Sequence, residues 1–174
     1  MKILIVTPLF PPDTAPLATY AKELATRLTK EHEVTVLLYG HLPEKIPGVT
    51  YISVDKRQSL FVRLFQYTKA FFLTARRNEK VFILNGPSVE IPATFMTPLV
   101  RTPYSLFMFD TIAEKRMKKL FFIEHYLLKK GAETVYTKEQ MPTARPEILP
   151  FRAYPQKEMD TYEHTWKEHL NTLL

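Results

Sequence analysis

The stretch from Met1 to Gly40 restricts the possible folds more than any other part of the chain. It opens on a nearly unbroken apolar run, Lys2-Ile3-Leu4-Ile5-Val6. Such a run fits a short strand buried on both faces of a parallel sheet. Phe10 to Pro16 cannot prolong the strand, because Pro11 and Pro12 lack the backbone donors that a ladder needs. From Leu17 to Thr29, apolar residues recur at Leu17, Tyr20, Ala21, Leu24, Ala25 and Leu28, with Lys22, Glu23 and Arg27 between them. That is the spacing of a helix with one buried face. Val34 to Leu38 is a second buried strand. The predicted unit is β-α-β. The loop after its first strand lies at the carboxyl edge of the sheet, where open α/β sheets bind their ligands.

The same alternation runs on. His41 to Gly48 reads as a polar loop, Val49 to Val54 as a strand near an edge, and Lys56 to Arg77 as a long helix rich in aromatic residues. Val81 to Leu84 is a buried strand ended by Asn85-Gly86-Pro87. A short helix interrupted near Pro92 follows over Val89 to Leu99, then a strand over Tyr104 to Phe109 ended by Asp110. Ala113 to Lys130 reads as a basic amphipathic helix with Gly131 at its C′ position. Thr134 to Tyr136 and Glu147 to Leu149 are short strands. This order predicts a single Rossmann-like, doubly wound parallel sheet in three α/β/α layers. Right-handed crossovers place the loops after Val6, Leu84 and Phe109 on one rim. Residues 1–150 form the domain. Residues 151–174 form a tail in which Met159, Tyr162, Trp166, Leu170 and Leu173 mark an amphipathic helix that must dock on it.

Composition narrows the function classes. The 174 residues suffice for one well-packed domain. Without cysteine there is no disulfide or thiolate chemistry, which fits a reducing compartment. Proline interrupts the N-terminal apolar run before it reaches signal-peptide length, and no apolar segment is long enough to span a bilayer. The expectation is a cytoplasmic protein, peripheral to a membrane at most. The net charge of +6 favours anionic partners.

Several chemistries lack their motifs. The glycines are Gly40, Gly48, Gly86 and Gly131, so there is neither a G-x-G-x-x-G nor a P-loop. No serine sits in a nucleophile elbow. His32, His41, His125, His164 and His169 contain no i, i+4 pair, so no metal site is expected and all five read as surface or cap residues. No cofactor is implied. Two basic, aromatic-rich helices remain. Arg63, Phe65, Lys69, Phe72 and Arg76 on the first, with Lys118, Lys119 and Phe122 on the second, suit an anionic membrane surface or a partner. Nucleic-acid binding is not favoured, since the charge is spread over helices without a recognition module.

The run KILIVTPLFPPDTAPLATYAKELATRLTKEHEVTVLLYG resembles the start of the N-terminal, acceptor-side domain of family-4 glycosyltransferases of the GT-B fold. Tyr20 and Glu23-Leu24-Ala25 match the helix of that family. Weaker resemblance continues through Phe82 to Pro87, Tyr104 to Asp110, Phe122 to Thr137 and Arg145 to Pro150. The departures are specific: Ala15-Pro16 stands where the family carries paired glycines, and Phe109 where it carries a histidine before an aspartate. The resemblance implies substrate contacts at Pro12, Asp13, Thr14, Ala15, Asn85 and Gly86. Thr14 is also an expected N-cap for the first helix. Asp110 is either a catalytic carboxylate or a helix cap. The resemblance further implies a second, donor-binding domain, which would have to come from a separate subunit. The expected function is the acceptor-side half of a split or degenerate glycosyltransferase. The alternative is a non-catalytic relative that binds glycan, lipid or protein at a membrane surface. A homodimer through the face that meets the donor domain is a further expectation.

Overall fold

The computed structural model describes residues 1–40, 42–109, 122–144 and 156–174. In chain order the elements are β1 (Lys2–Thr7), α1 (Pro16–Leu28), β2 (Glu33–Tyr39), β3 (Val49–Val54), α2 (Leu60–Ala75), β4 (Lys80–Leu84), α3 (Pro87–Val100), β5 (Tyr104–Met108), α4 (Phe122–Gly131), β6 (Thr134–Thr137) and α5 (Gln156–Leu173). The strands form one sheet in the order β3-β2-β1-β4-β5-β6, and every pairing is parallel. The predicted doubly wound α/β architecture is therefore the observed one. Asp110, the expected helical residues 113–121 and the expected strand Glu147 to Leu149 lie outside the described residues.

Alternation along each strand feeds two cores. Ile3, Ile5, Val34, Val36, Phe82 and Phe107 point to one face, where α1 covers them together with Trp166 and Leu173 of α5. Leu4, Val6, Leu37, Val81, Ile83 and Leu106 point to the other, under Tyr67 and Phe71 of α2, Val89 and Ala93 of α3 and Leu128 of α4. The terminal helix is thus part of the first core. The charged flank that fixes it was not foreseen: Arg27 of α1 grips Glu163 through two bonds of 2.8 and 2.7 Å, and Glu23 through a third of 2.7 Å. Its guanidinium also lies over the rings of Tyr162 and Trp166.

Two local expectations are corrected. α3 runs unbroken through Pro92 and Pro98. Pro92 has no N–H to offer the carbonyl of Ser88 one turn earlier. The hydroxyl of Tyr39 donates to that carbonyl instead, at 3.0 Å, so the helix loses no buried bond there. Gly131 is the last residue of α4 and lacks the positive φ of a C′ cap. Its role is clearance: a Cβ there would stand 2.6 Å from the hydroxyl oxygen of Tyr104. That hydroxyl donates to the carbonyl of Leu128 at 2.6 Å.

Candidate functional site

The strand order reverses between β1 and β4, because the connection from β1 leads to β2 on one side and β4 leads to β5 on the other. A crevice opens outside the carboxyl ends of strands at such a point. Its walls are the loop from Pro8 to Ala15 and the turn at Asn85-Gly86. The two walls touch: a Cβ on Gly86 would lie 2.8 Å from Cγ of Pro8, so only glycine permits this approach.

The floor is polar, and its groups are engaged in holding the loops. Thr7 is fully buried, and its hydroxyl donates to the carbonyl of Leu9 at 2.7 Å. Buried Asn85 uses its backbone N–H on the carbonyl of Phe107, at 2.9 Å. Its Oδ1 accepts from the N–H of Phe109, also at 2.9 Å. Glu90 is buried on the first turns of α3 and accepts the N–H of Gly86 through Oε1 at 3.1 Å. Asn85 and Glu90 therefore clamp the β4 turn to the end of β5 and to the start of α3.

The outer rim carries the other expected contacts. Pro12 and Thr14 are exposed, while Asp13 and Ala15 are half-buried. Asp13 pairs with Lys56 at 2.9 Å, and Glu44 of the β2–β3 loop pairs with Lys22 at 2.7 Å. The N–H of Glu44 also donates to the carbonyl of Pro11 at 2.9 Å, which ties the two loops together. Thr14 is not the N-cap. Ala15 occupies that place in an extended conformation, followed by Pro16 in the first turn, and no side chain caps the helix. The residue before a proline is driven out of the helical region, so the cap position falls on Ala15.

Of the residues read as membrane or partner contacts, the structure separates Arg63 from the rest. It sits in the first turns of α2 at the carboxyl edge, with its Cζ 5.7 Å from the centre of the Tyr39 ring, and it donates to the carbonyl of Lys56 at 3.3 Å. Tyr39 in turn stacks on Tyr67 with ring centres 4.1 Å apart. Burial pushes the Tyr39 hydroxyl up, and the charge of Arg63 pulls it partly back. Arg63, Tyr39 and Glu90 thus belong to the crevice side, which sequence reading did not assign to them. The position of Arg63 in the first turn of a helix that leaves the carboxyl edge was the available signal. Phe65, Lys69 and Arg76 are exposed and Phe72 is half-buried with Arg76 above its ring. Lys118 and Lys119 lie outside the described residues, and Phe122 begins α4.

Beneath the crevice, on the α1 side, Phe109 packs on Tyr20 with ring centres 4.6 Å apart. Tyr20 meets Trp166 at 5.3 Å, and Phe107 stacks on Tyr136 at 5.0 Å. His169 is buried among them, which corrects its expected surface position. Desolvation pushes its pKa down to about 4 and raises that of Tyr20 well above the usual phenol value. Nε2 of His169 and the Tyr20 hydroxyl oxygen share a hydrogen bond of 2.6 Å. A cleft of about 420 Å³ between the C-terminal turns of α1 and α5 mixes Lys30 and Lys167 with Glu31 and Glu163, so it offers a ligand no consistent charge.

No family model matches the chain, and no curated protein matches its sequence. Solved structures do match its shape. HepE of Anabaena, solved with UDP and glucose, aligns at a TM-score of 0.56 with 14% identity, over 78% of this chain and 37% of that one. A protein assigned as a UDP-N-acetylglucosamine 2-epimerase of Listeria monocytogenes aligns at 0.55 with 14% identity, over 80% and 40%. The UDP-GlcNAc 2-epimerase of Methanocaldococcus jannaschii aligns at 0.51 with 10% identity, over 79% and 39%. The fold is GT-B-like. At these identities the likeness carries the architecture alone, and the chain spans about two fifths of the length of each structure it matches.

Proposed function

We propose that the chain is the acceptor-side half of a glycosyltransferase of the GT-B type, working with a donor-binding domain supplied by a partner. The observation that supports this reading is the β1/β4 switch point, with its polar loop groups at the carboxyl edge, in a domain matching two fifths of structures such as HepE. The UDP and glucose bound to HepE point to nucleotide-sugar chemistry as the setting. Group transfer requires acceptor and activated donor to be held together, and one GT-B-like domain offers only half of that cleft.

Among the described residues, the polar groups of the rim favour binding over chemistry by this chain alone. Asp13 and Glu44 are paired with lysines, and Asp55 accepts the N–H of Arg57 at 2.8 Å. A general base needs a carboxylate or imidazole within reach of the substrate hydroxyl. Phe109 stands where the resembling family carries a histidine, and its ring is committed to Tyr20. The second reading, a non-catalytic glycan-binding relative, draws on this same commitment of the rim groups.

Affinity purification of the tagged chain from its native host, followed by assay with radiolabelled nucleotide sugars, tests the proposal. The expected result is a co-eluting Rossmann-like partner and transfer that requires both proteins. Glycan binding without any such partner supports the non-catalytic reading. Transfer by the isolated chain overturns both.

A further inference from the structure

The two helical layers differ on their outer surfaces. Phe61 and Phe65 of α2 are 83% and 70% exposed, and Phe95 and Leu99 of α3 are 60% and 63% exposed. Each pair is spaced i, i+4, so it forms a stripe on one helix face. The α2 stripe continues through Lys69 and Leu73 to Arg76, all exposed. Tyr126 and Leu127 of α4 are exposed as well, followed by Lys129 and Lys130. These three helices share one core under the same face of the sheet, so their outer sides form one surface. Outward apolar groups repeated on neighbouring helices mark a contact surface, whereas isolated ones do not.

Charge decides the occupant. α2 contains no acidic residue, and the single acid of α3, Glu90, is buried. α4 sets Lys129 and Lys130 against one glutamate, Glu124. Among the described residues no ion pair engages Lys69, Arg76, Lys129 or Lys130. α5, on the opposite layer, carries Glu158, Asp160, Glu163 and Glu168 against Lys157 and Lys167. A second copy meeting the α2–α4 surface about a two-fold axis would bring like charges together. An anionic bilayer instead offers headgroups to the cations and an acyl boundary to the phenylalanines. Among the described residues no helix is long and apolar enough to cross a membrane, so attachment of this kind is peripheral.

We infer that the outer surface of α2, α3 and α4 docks the protein on an anionic lipid surface. The aromatic stripe enters the headgroup region, and Lys69, Arg76, Lys129 and Lys130 lie among the phosphates. Arg63, turned to Tyr39, stays out of this contact and faces the crevice. This inference stands independently of the proposed transfer reaction.

Flotation of the full chain with vesicles decides it. Vesicles containing phosphatidylglycerol in phosphatidylcholine should carry the protein upward, and vesicles of phosphatidylcholine alone should not. Added salt should weaken the binding, because exposed charges are screened. Lys69→Glu with Arg76→Glu should weaken it at least about 25-fold, at about fivefold per basic charge lost. Phe61→Ser with Phe65→Ser should weaken it by about tenfold or more at unchanged circular dichroism. Lys157→Glu on α5 should leave it unchanged. Equal binding to both vesicle types, no binding to either, or a dimer in sedimentation equilibrium that the Phe61/Phe65 variant dissociates would each overturn the inference.

Discussion

The layer of α1 and α5 and the layer of α2, α3 and α4 cover the same sheet and finish their outer surfaces in opposite ways. α1 and α5 lock together through Arg27, Glu23 and Glu163 and through the Tyr20–His169 bond, and Tyr136 of β6 ties α5 to the sheet, its hydroxyl donating to the carbonyl of Thr172 at 2.8 Å. Their large apolar groups face inward, as Trp166 does. The second layer buries its inner sides equally well but sends phenylalanines and leucines outward beside cations that form no ion pair among the described residues. Equal packing against the sheet therefore says nothing about what the far side of a helix is for. One layer turns its large apolar groups into the core, and the other leaves several of them exposed.

Substitutions separate the two layers. Trp166→Ala should cost about 3–5 kcal/mol of folding stability in urea titration, since the indole is fully buried in the first core. A loss below about 1 kcal/mol would mean that α5 contributes little and that the contrast is false. An acid titration probes the same layer more gently. The folded state holds His169 near pKa 4, against an ordinary value of 6.5, so the unfolded chain binds the proton more readily. The contribution of neutral His169 is complete above pH 6.5 and is lost as the pH falls toward 4. Its slope is at most about 1.4 kcal/mol per pH unit. His169→Gln, followed by urea midpoints across that range, should flatten the dependence relative to the parent. On the other layer, Phe65→Ala should change stability by no more than about 0.5 kcal/mol. A cost comparable to that of Trp166 would show that the ring packs on the protein in solution.

The framework was readable because its determinants are local. Ile3 to Val6, Val36 to Leu38 and Phe82 to Leu84 are apolar on consecutive positions, and prolines and glycines mark their ends. The i, i+4 spacing of α1 and α5 likewise needs no knowledge of neighbours. What escaped reading depends on distant partners. His169 looks like a solvated histidine until Tyr20, 149 positions earlier, comes to lie against it. Pro92 looks like a break until Tyr39 supplies the missing donor. Arg63 has the composition of a surface cation, and only the stacked Tyr39 and Tyr67 show why it turns inward. Within the crevice, Asn85-Gly86 was recognisable as a turn. That Gly86 exists to admit Pro8, and that Asn85 reaches Phe109, could be seen only once β1, β4 and β5 lay side by side.

The late arrival of α5 has a consequence for synthesis. Tyr20 leaves the ribosome long before Trp166 and His169, and at about 5–20 residues per second the interval is on the order of ten seconds. Throughout that time α1 and the strands beside it present uncovered tyrosine and phenylalanine rings to solvent or to a chaperone. Contacts so far apart in sequence also form slowly, because a large loop must close before they yield any stabilisation. The rings of α1 are therefore sealed only once α5 has been made, and the window for aggregation is set by the time needed to synthesise the residues between them.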